Sequence, residues 1–265
     1  MNDKRHTAPA VILAELTYKA IKGRSFSTVL LPWGATEPHN YHLPYGTDNY
    51  ESEYISRRAA GYAAALGARI TVLPVIPYGV NTGQLDLPYA VNMNPSTQMM
   101  ILRDILMSIK PQGVRKFFIF NSHGGNDFKQ MLRELQPQFP DILLGYINWF
   151  RMKEQEEFFE EKDDHAGEME TSIMMYIQPE LVLPLEEAGE GKSHRFTLKE
   201  LHEGWAWTQR EWTKATSDTG VGNPKKASQE KGKKYLDFLE RKIGTFLYEL
   251  DTTPNNKMYA AQELL

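Results

Sequence analysis

Apolar residues along this chain keep two rhythms. Short, nearly continuous runs rich in β-branched and aromatic residues, at Thr28–Leu31, Ile70–Val75, Lys116–Phe120 and Ile142–Ile147, predict strands buried on both faces. Between them the apolar positions recur at helical spacing. Tyr50–Leu66 carries Tyr54, Ile55 and Ala59 on one side, and Ser96–Ile109 carries Met99, Met100, Leu102, Ile105, Leu106 and Ile109 behind a well-placed Pro95. A third helix is predicted over Asn126–Gln136, stopped by Pro137 and Pro140. A long one from about Lys226 to Leu250 is apolar at Tyr235, Phe238, Leu239, Ile243, Phe246 and Leu247. Strands alternating with helices predict a mostly parallel sheet covered on both faces, an α/β fold in three layers, α/β/α.

Two segments break the rhythm. Lys153–Asp164 is dominated by Glu and Asp around Phe158 and Phe159 and reads as a solvated helical excursion. Gly189–Pro224, rich in Gly, Trp and Thr, reads as a long excursion of the functional or mobile kind. No internal repeat is apparent, and the 265 residues read as a single domain, 1–265, with a tail beyond Pro254.

Composition narrows the function classes. A formal net charge of −4 gives no basic footprint for nucleic acid or for an acidic membrane surface. The absence of cysteine excludes disulfides, thiolate-held metals and a thiol nucleophile. The opening residues lack the apolar core of a signal peptide, and no run approaches the roughly 20 apolar residues that span a bilayer. The expectation is a cytoplasmic protein acting on a small-molecule substrate.

The candidate chemistry lies just after two predicted strands, where open parallel sheets bind ligands. The stretch LPWGATEPHNYHLPYGTD holds Glu37, His39 and Asp48, and FNSHGGN holds His123. Pro38 favours an extended backbone, so Glu37 and His39 can face one point. Two His and two carboxylates favour Zn, Mn or Fe, and a carboxylate shared between two metals about 3.5–4 Å apart suits hydrolysis. A third segment, DDHAGEMETSIMMYIQPELV, places His165 and Glu168 three apart, on one face of a first helical turn, with Glu170 close behind. Each of these residues alone has a plainer reading as a cap or a hydrogen-bonded core group. Acids opening that helix would also complement its dipole. The clustering of four of the seven histidines in these segments favours the metal reading.

These motifs resemble the creatininase (creatinine amidohydrolase) family from about Val11 to Phe246. The family's Glu-x-His with a later Asp appears as Glu37, His39 and Asp48, and its Asn-x-His-x-x-Asn as Asn121, His123 and Asn126. Its His-x-Gly-x-x-Glu-Thr-Ser appears as His165 to Ser172, and a final pattern as Gly222, Pro224, Ala227, Ser228, Lys231 and Gly232. The resemblance implies two divalent metal ions per chain, amidohydrolase chemistry on a C–N bond and a homo-oligomer, often a hexamer. Glu37 and His123 would hold one metal, His39 the other, and Asp48 would bridge them. His165 is the expected general acid/base.

Departures from the family bear on the substrate. Creatinine-hydrolysing members carry a Glu where this chain has Gly125 and a Trp where it has Glu161. This chain also reads Leu87-Pro88-Tyr89-Ala90 where many relatives have Pro-Gly-Thr. Glu168 is expected to replace the missing ligand and to take part in catalysis, with Glu170 supporting it, and creatinine itself is not the expected substrate. Trp149, after the fourth strand, is expected to form a flat wall for the substrate, and His42 is assigned to substrate binding beside it. Trp205, Trp207 and Trp212 sit on the long excursion, to close over the site or to pack at an interface. The alternatives are hydrolysis or isomerisation of an oxidised sugar on the same scaffold, or metal binding without catalysis. Nucleotide binding has no support, since Gly220-Val221-Gly222 follows no strand, and no G-x-S-x-G elbow suggests a serine hydrolase.

Overall fold

A computed structural model describes residues 11–161 and 164–260. The expectations for the N-terminal ten residues, for 162–163 within the acidic run and for 261–265 of the tail lie outside the described residues. The first half runs α1 (Tyr18–Ile21), β1 (Thr28–Trp33), α2 (Thr47–Ala65), β2 (Ile70–Val72), α3 (Pro95–Ile109), β3 (Lys116–Asn121), α4 (Lys129–Leu135) and β4 (Leu143–Asn148). The second half is helical: α5 (Glu168–Ile177), α6 (Lys199–Glu203), α7 (Trp212–Ala215) and α8 (Gln229–Thr252). All strand pairs are parallel, in the order β2-β1-β3-β4.

Alternation along β1 builds the three layers. Val29, Leu31 and Trp33 pack with Phe117 and Ile119 of β3 beneath α3 and α4, whereas Leu30 and Phe120 face α2, α5 and α8. The α8 stripe of Tyr235, Leu239, Ile243 and Leu247 is fully buried there. Ser228 caps this helix by accepting from the Lys231 N–H at 3.2 Å. Pro95 opens α3 at its first turn, as its missing N–H allows. β1 and β3 are in full register from Thr28↔Lys116 to Trp33↔Asn121, so the two ligand-bearing loops leave the sheet side by side.

Of the boundaries that differ from the sequence reading, three have a clear physical cause. β2 ends at Val72, since Pro74 supplies no ladder N–H. α4 starts at Lys129 rather than Asn126, because the Asn126 side chain is engaged: its Oδ1 accepts from Val80 N at 3.0 Å and its Nδ2 donates to Asn121 Oδ1 at 3.0 Å. The acidic run forms a 3-10 stretch, Lys153–Glu157, whose charged residues stay largely at the surface while Phe158 and Phe159 turn inward. Phe158, tilted, and Phe159, edge-on, pack against Tyr235 with centroids 5.2 and 5.1 Å away, so the aromatic pair anchors the run to the core. No helix among the described residues is long and apolar enough to cross a membrane.

Candidate metal centre

Beyond the carboxyl ends of β1 and β3, Glu37, His39, Asp48, His123 and His165 converge, each no more than 5% exposed. Asp48 stands in the first turn of α2, within reach of His39 across the tight turn between them. Its Oδ1 lies 3.0 Å from His39 Nε2, and its Oδ2 lies 3.1 Å from His123 Nδ1. Glu37 Oε1 is 2.8 Å from the same His123 nitrogen and 3.9 Å from His165 Nδ1.

Each histidine commits its other ring nitrogen to a backbone carbonyl. His39 Nδ1 donates to Glu37 O at 3.0 Å, His123 Nε2 to Val80 O at 3.0 Å, and His165 Nε2 to Pro38 O at 2.9 Å. The second nitrogen of each ring is left facing the carboxylates. Partners of this kind set the tautomer and orientation of metal-ligating imidazoles.

The electrostatics call for positive charge. Burial alone would lower the His39 pKa, but the Asp48 carboxylate outweighs it and holds the ring up to about 10. His123 is likewise raised against its burial by Glu37 and Asp48. Burial would raise Glu37 and Asp48, yet the neighbouring histidines lower both. His165 is lowered, by burial and then by the charge on His39. Positive charge at His39 and His123, from a proton or from a cation beside them, would balance the buried carboxylates.

Among the described residues, three overlapping donor groups have ligand atoms within 4.8 Å of one another: Glu37, Asp48 and His123; His39, Asp48 and Glu170; and Glu37, His39 and His165. The residues present therefore fit a metal centre, with Glu37, His39 and Asp48 each common to two of the groups. Glu168, the expected fifth ligand and catalytic partner, is not among them. Its carboxylate pairs with Lys231 Nζ and accepts the N–H groups of Glu160 and Glu161, each at 2.8 Å. The reason is where the helix starts. His165 forms a bridge with Val221, Ala166 takes a positive φ of 55°, and α5 begins only at Glu168, so His165 and Glu168 share no helical face. Glu170, also in the first turn of α5, reaches back to accept the Ala166 N–H and enters the centre instead.

The two expected substrate-binding residues also lie elsewhere than the reading placed them. Trp149 turns into the core, fully buried against Tyr235 and Phe150, and its Nε1 donates to Ser122 Oγ at 2.8 Å. It braces the His123 loop from behind rather than walling the site. His42 is buried, with Nε2 2.8 Å from Thr171 Oγ1. Burial, and then the His39 charge, pushes its pKa down to about 4.

The wall comes from the long excursion. Trp212 lies over the His165 ring, with centroids 4.8 Å apart. The Arg210 guanidinium stacks on Trp212 at 4.3 Å and pairs with Asp164 at 2.9 Å. Thr213 bonds Asp86, and Gln209 meets Thr82 at 3.1 Å, so this strap is tied to the turn after β2. Trp205 and Trp207 remain 72% and 81% exposed. Gly125 also gains a physical account. A Cβ there would strike the Val80 carbonyl and the His123 ring, so no ligand side chain fits while that hydrogen bond holds.

The profile of the creatininase family, described as creatinine amidohydrolase, matches residues 14–247. The chain belongs to the creatininase family. It is 43% identical to a protein of known structure from Bacteroides fragilis, provisionally described as a creatinine amidohydrolase; the match covers 94% of this chain and 98% of that one with a TM-score of 0.87. It is 26% identical over 199 residues to the creatinine amidohydrolase of Pseudomonas putida, covering 65% of this chain and 74% of the relative. It is also 26% identical over 190 residues to a 3-dehydro-scyllo-inosose hydrolase of Thermotoga maritima, covering 65% of this chain and 58% of that protein. Creatininase membership and these relatives make the chain a hydrolase.

Proposed function

We propose that this creatininase-family chain is a two-metal amidohydrolase cleaving a C–N bond in a small, polar amide, cyclic rather than open, with creatinine not the expected substrate. The observation that carries the reading is the divergence of the Asp48 carboxylate, with Oδ1 beside His39 and Oδ2 beside His123. Glu37, Asp48 and His123 would hold one divalent ion, and His39, Asp48 and Glu170 the other; this set suits Zn, Mn or Fe. When bound, such a pair polarises a carbonyl and activates water.

The chain's own residues supply the rest. His165 Nε2 is committed to the Pro38 carbonyl, so Nδ1 is the atom free to take a proton from the attacking water and return it to the leaving nitrogen. Trp212 covers that ring and excludes bulk water from it. A homo-oligomer in the cytoplasm is part of the same proposal, supported by the family and by the exposed Trp205, Trp207 and Leu198 on the excursion.

The Thermotoga maritima relative favours a second reading, hydrolysis of an oxidised cyclic sugar on the same centre. One experiment separates the two: the metal-reconstituted protein is assayed against cyclic amides and against keto-sugars. Turnover of a cyclic amide supports the first reading, and turnover of keto-sugars alone the second. Inertness toward both panels with the metals bound counts against both.

A further inference from the structure

The turn after β2 reaches the centre at a point that neither the motifs nor the family pattern marked. Gln84 ends the short 3-10 turn Thr82–Gln84 and is 2% exposed. Its Nε2 donates to Glu37 Oε2, an orientation fixed by chemistry because a carboxylate only accepts. The other oxygen, Oε1 of Glu37, is thereby turned toward His123 and His165. Gln84 Oε1 has no hydrogen-bond partner among the described residues. A buried acceptor without a partner is costly, so packing or self-satisfaction does not explain a glutamine here. Its one bond to Glu37 does.

The same turn serves a second ligand of the same proposed ion. Val80 presents the carbonyl that takes the Nε2–H of His123, while its own N–H is held by Asn126 Oδ1 at 3.0 Å. The turn is rigidly placed: Gln84 N bonds Asn81 O at 3.0 Å, and Asn81 N bonds Asn92 Oδ1 at 2.8 Å. Gly83 seats under the Arg210 carbonyl, where a Cβ would collide. Residues 79–84 therefore hold the outer sides of Glu37 and His123, whereas His39 and Glu170 take their outer contacts from Glu37 O and Ala166 N.

We propose that Gln84 is a positioning residue for one metal of the two: its amide fixes Glu37 so that a single oxygen faces the ion held with His123. This rests on the two-metal reading above. The test is stepwise zinc competition against a chromophoric chelator, with apo-protein melting alongside, for wild type, Gln84→Met and Gln84→Leu. In both variants one ion should bind about 10–100-fold more weakly, the range seen when an outer partner of a ligand is lost, with the other ion unchanged and apo melting preserved. Binding of both ions within twofold of wild type would overturn the proposal. So would parallel loss of both ions with lowered melting, or misfolding of both variants, since each marks Gln84 as merely structural. If wild type itself takes up no metal, the two-metal reading fails first and takes this inference with it.

Discussion

Asp48 Oδ1 lies 3.0 Å from Nε2 of His39, and the other oxygen of the same carboxylate serves a different histidine, His123, at 3.1 Å. A bridging carboxylate needs this divergence of its two oxygens. Asp48→Ala should therefore abolish uptake of both ions, because each loses a ligand and the two positive charges then face each other unscreened. His39→Ala should weaken one ion only. Elemental analysis after exhaustive dialysis distinguishes them, and equal single-ion losses in the two variants would argue against bridging.

Glu168 and Glu170 make a paired test, since only Glu170 joins a donor group. Glu170→Gln should lower affinity for one ion by more than about tenfold while leaving the fold intact. Glu168→Ala should instead destabilise the protein by about 1–3 kcal/mol, because it removes the buried acceptor of two backbone N–H groups and the carboxylate paired with Lys231. Calorimetry and metal titration of both variants check the assignment. A reversed pattern would return the ligand role to Glu168.

The two tryptophans should separate in the same manner. Trp149→Ala removes a fully buried side chain and should cost about 3–5 kcal/mol of stability. Trp212→Ala uncovers His165, and its main effect should be on KM, kcat and the rate at which a chelator strips the metals. Faster stripping with a near-native melting temperature supports Trp212 as the cover of the site. Unchanged stripping would contradict that role.

His42 predicts a pH dependence of stability. Its folded pKa is about 4, below the ordinary 6.5, so the unfolded chain takes the proton first as pH falls. Its contribution is fully present above pH 6.5, is lost progressively between 6.5 and 4, and then levels. Denaturant melts of apo wild type and His42→Asn at about pH 7.5 and about pH 5.5 should show a smaller acid loss in the variant. Equal losses would mean that His42 protonates as freely in the folded protein as in the unfolded chain.

The sheet was legible because β1 and β3 are buried on both faces, which turns them into continuous apolar runs. Glu37, His39, Asp48 and His123 were legible because they follow those runs directly. Glu170 was not, since the choice between it and Glu168 depends on Ala166 adopting a positive φ and on His165 pairing with Val221, far away in sequence. Trp149 was misplaced because the 3-10 turn after β4 rotates it inward, a change that strand parity does not anticipate. Trp212 is held over His165 by long-range ties of its neighbours to Asp86, Thr82 and Asp164. Gln84 carries no pattern at all. Its role exists only in the contact with Glu37.

The account turns on a centre holding two ions around Asp48. The most direct measurement is the metal content of the full chain, reconstituted with zinc or manganese, freed of loose ions and quantified by elemental mass spectrometry against protein concentration. Close to two ions per chain are expected, falling to none in Asp48→Ala. One ion per chain in wild type, or none with the fold intact, would contradict a two-ion centre.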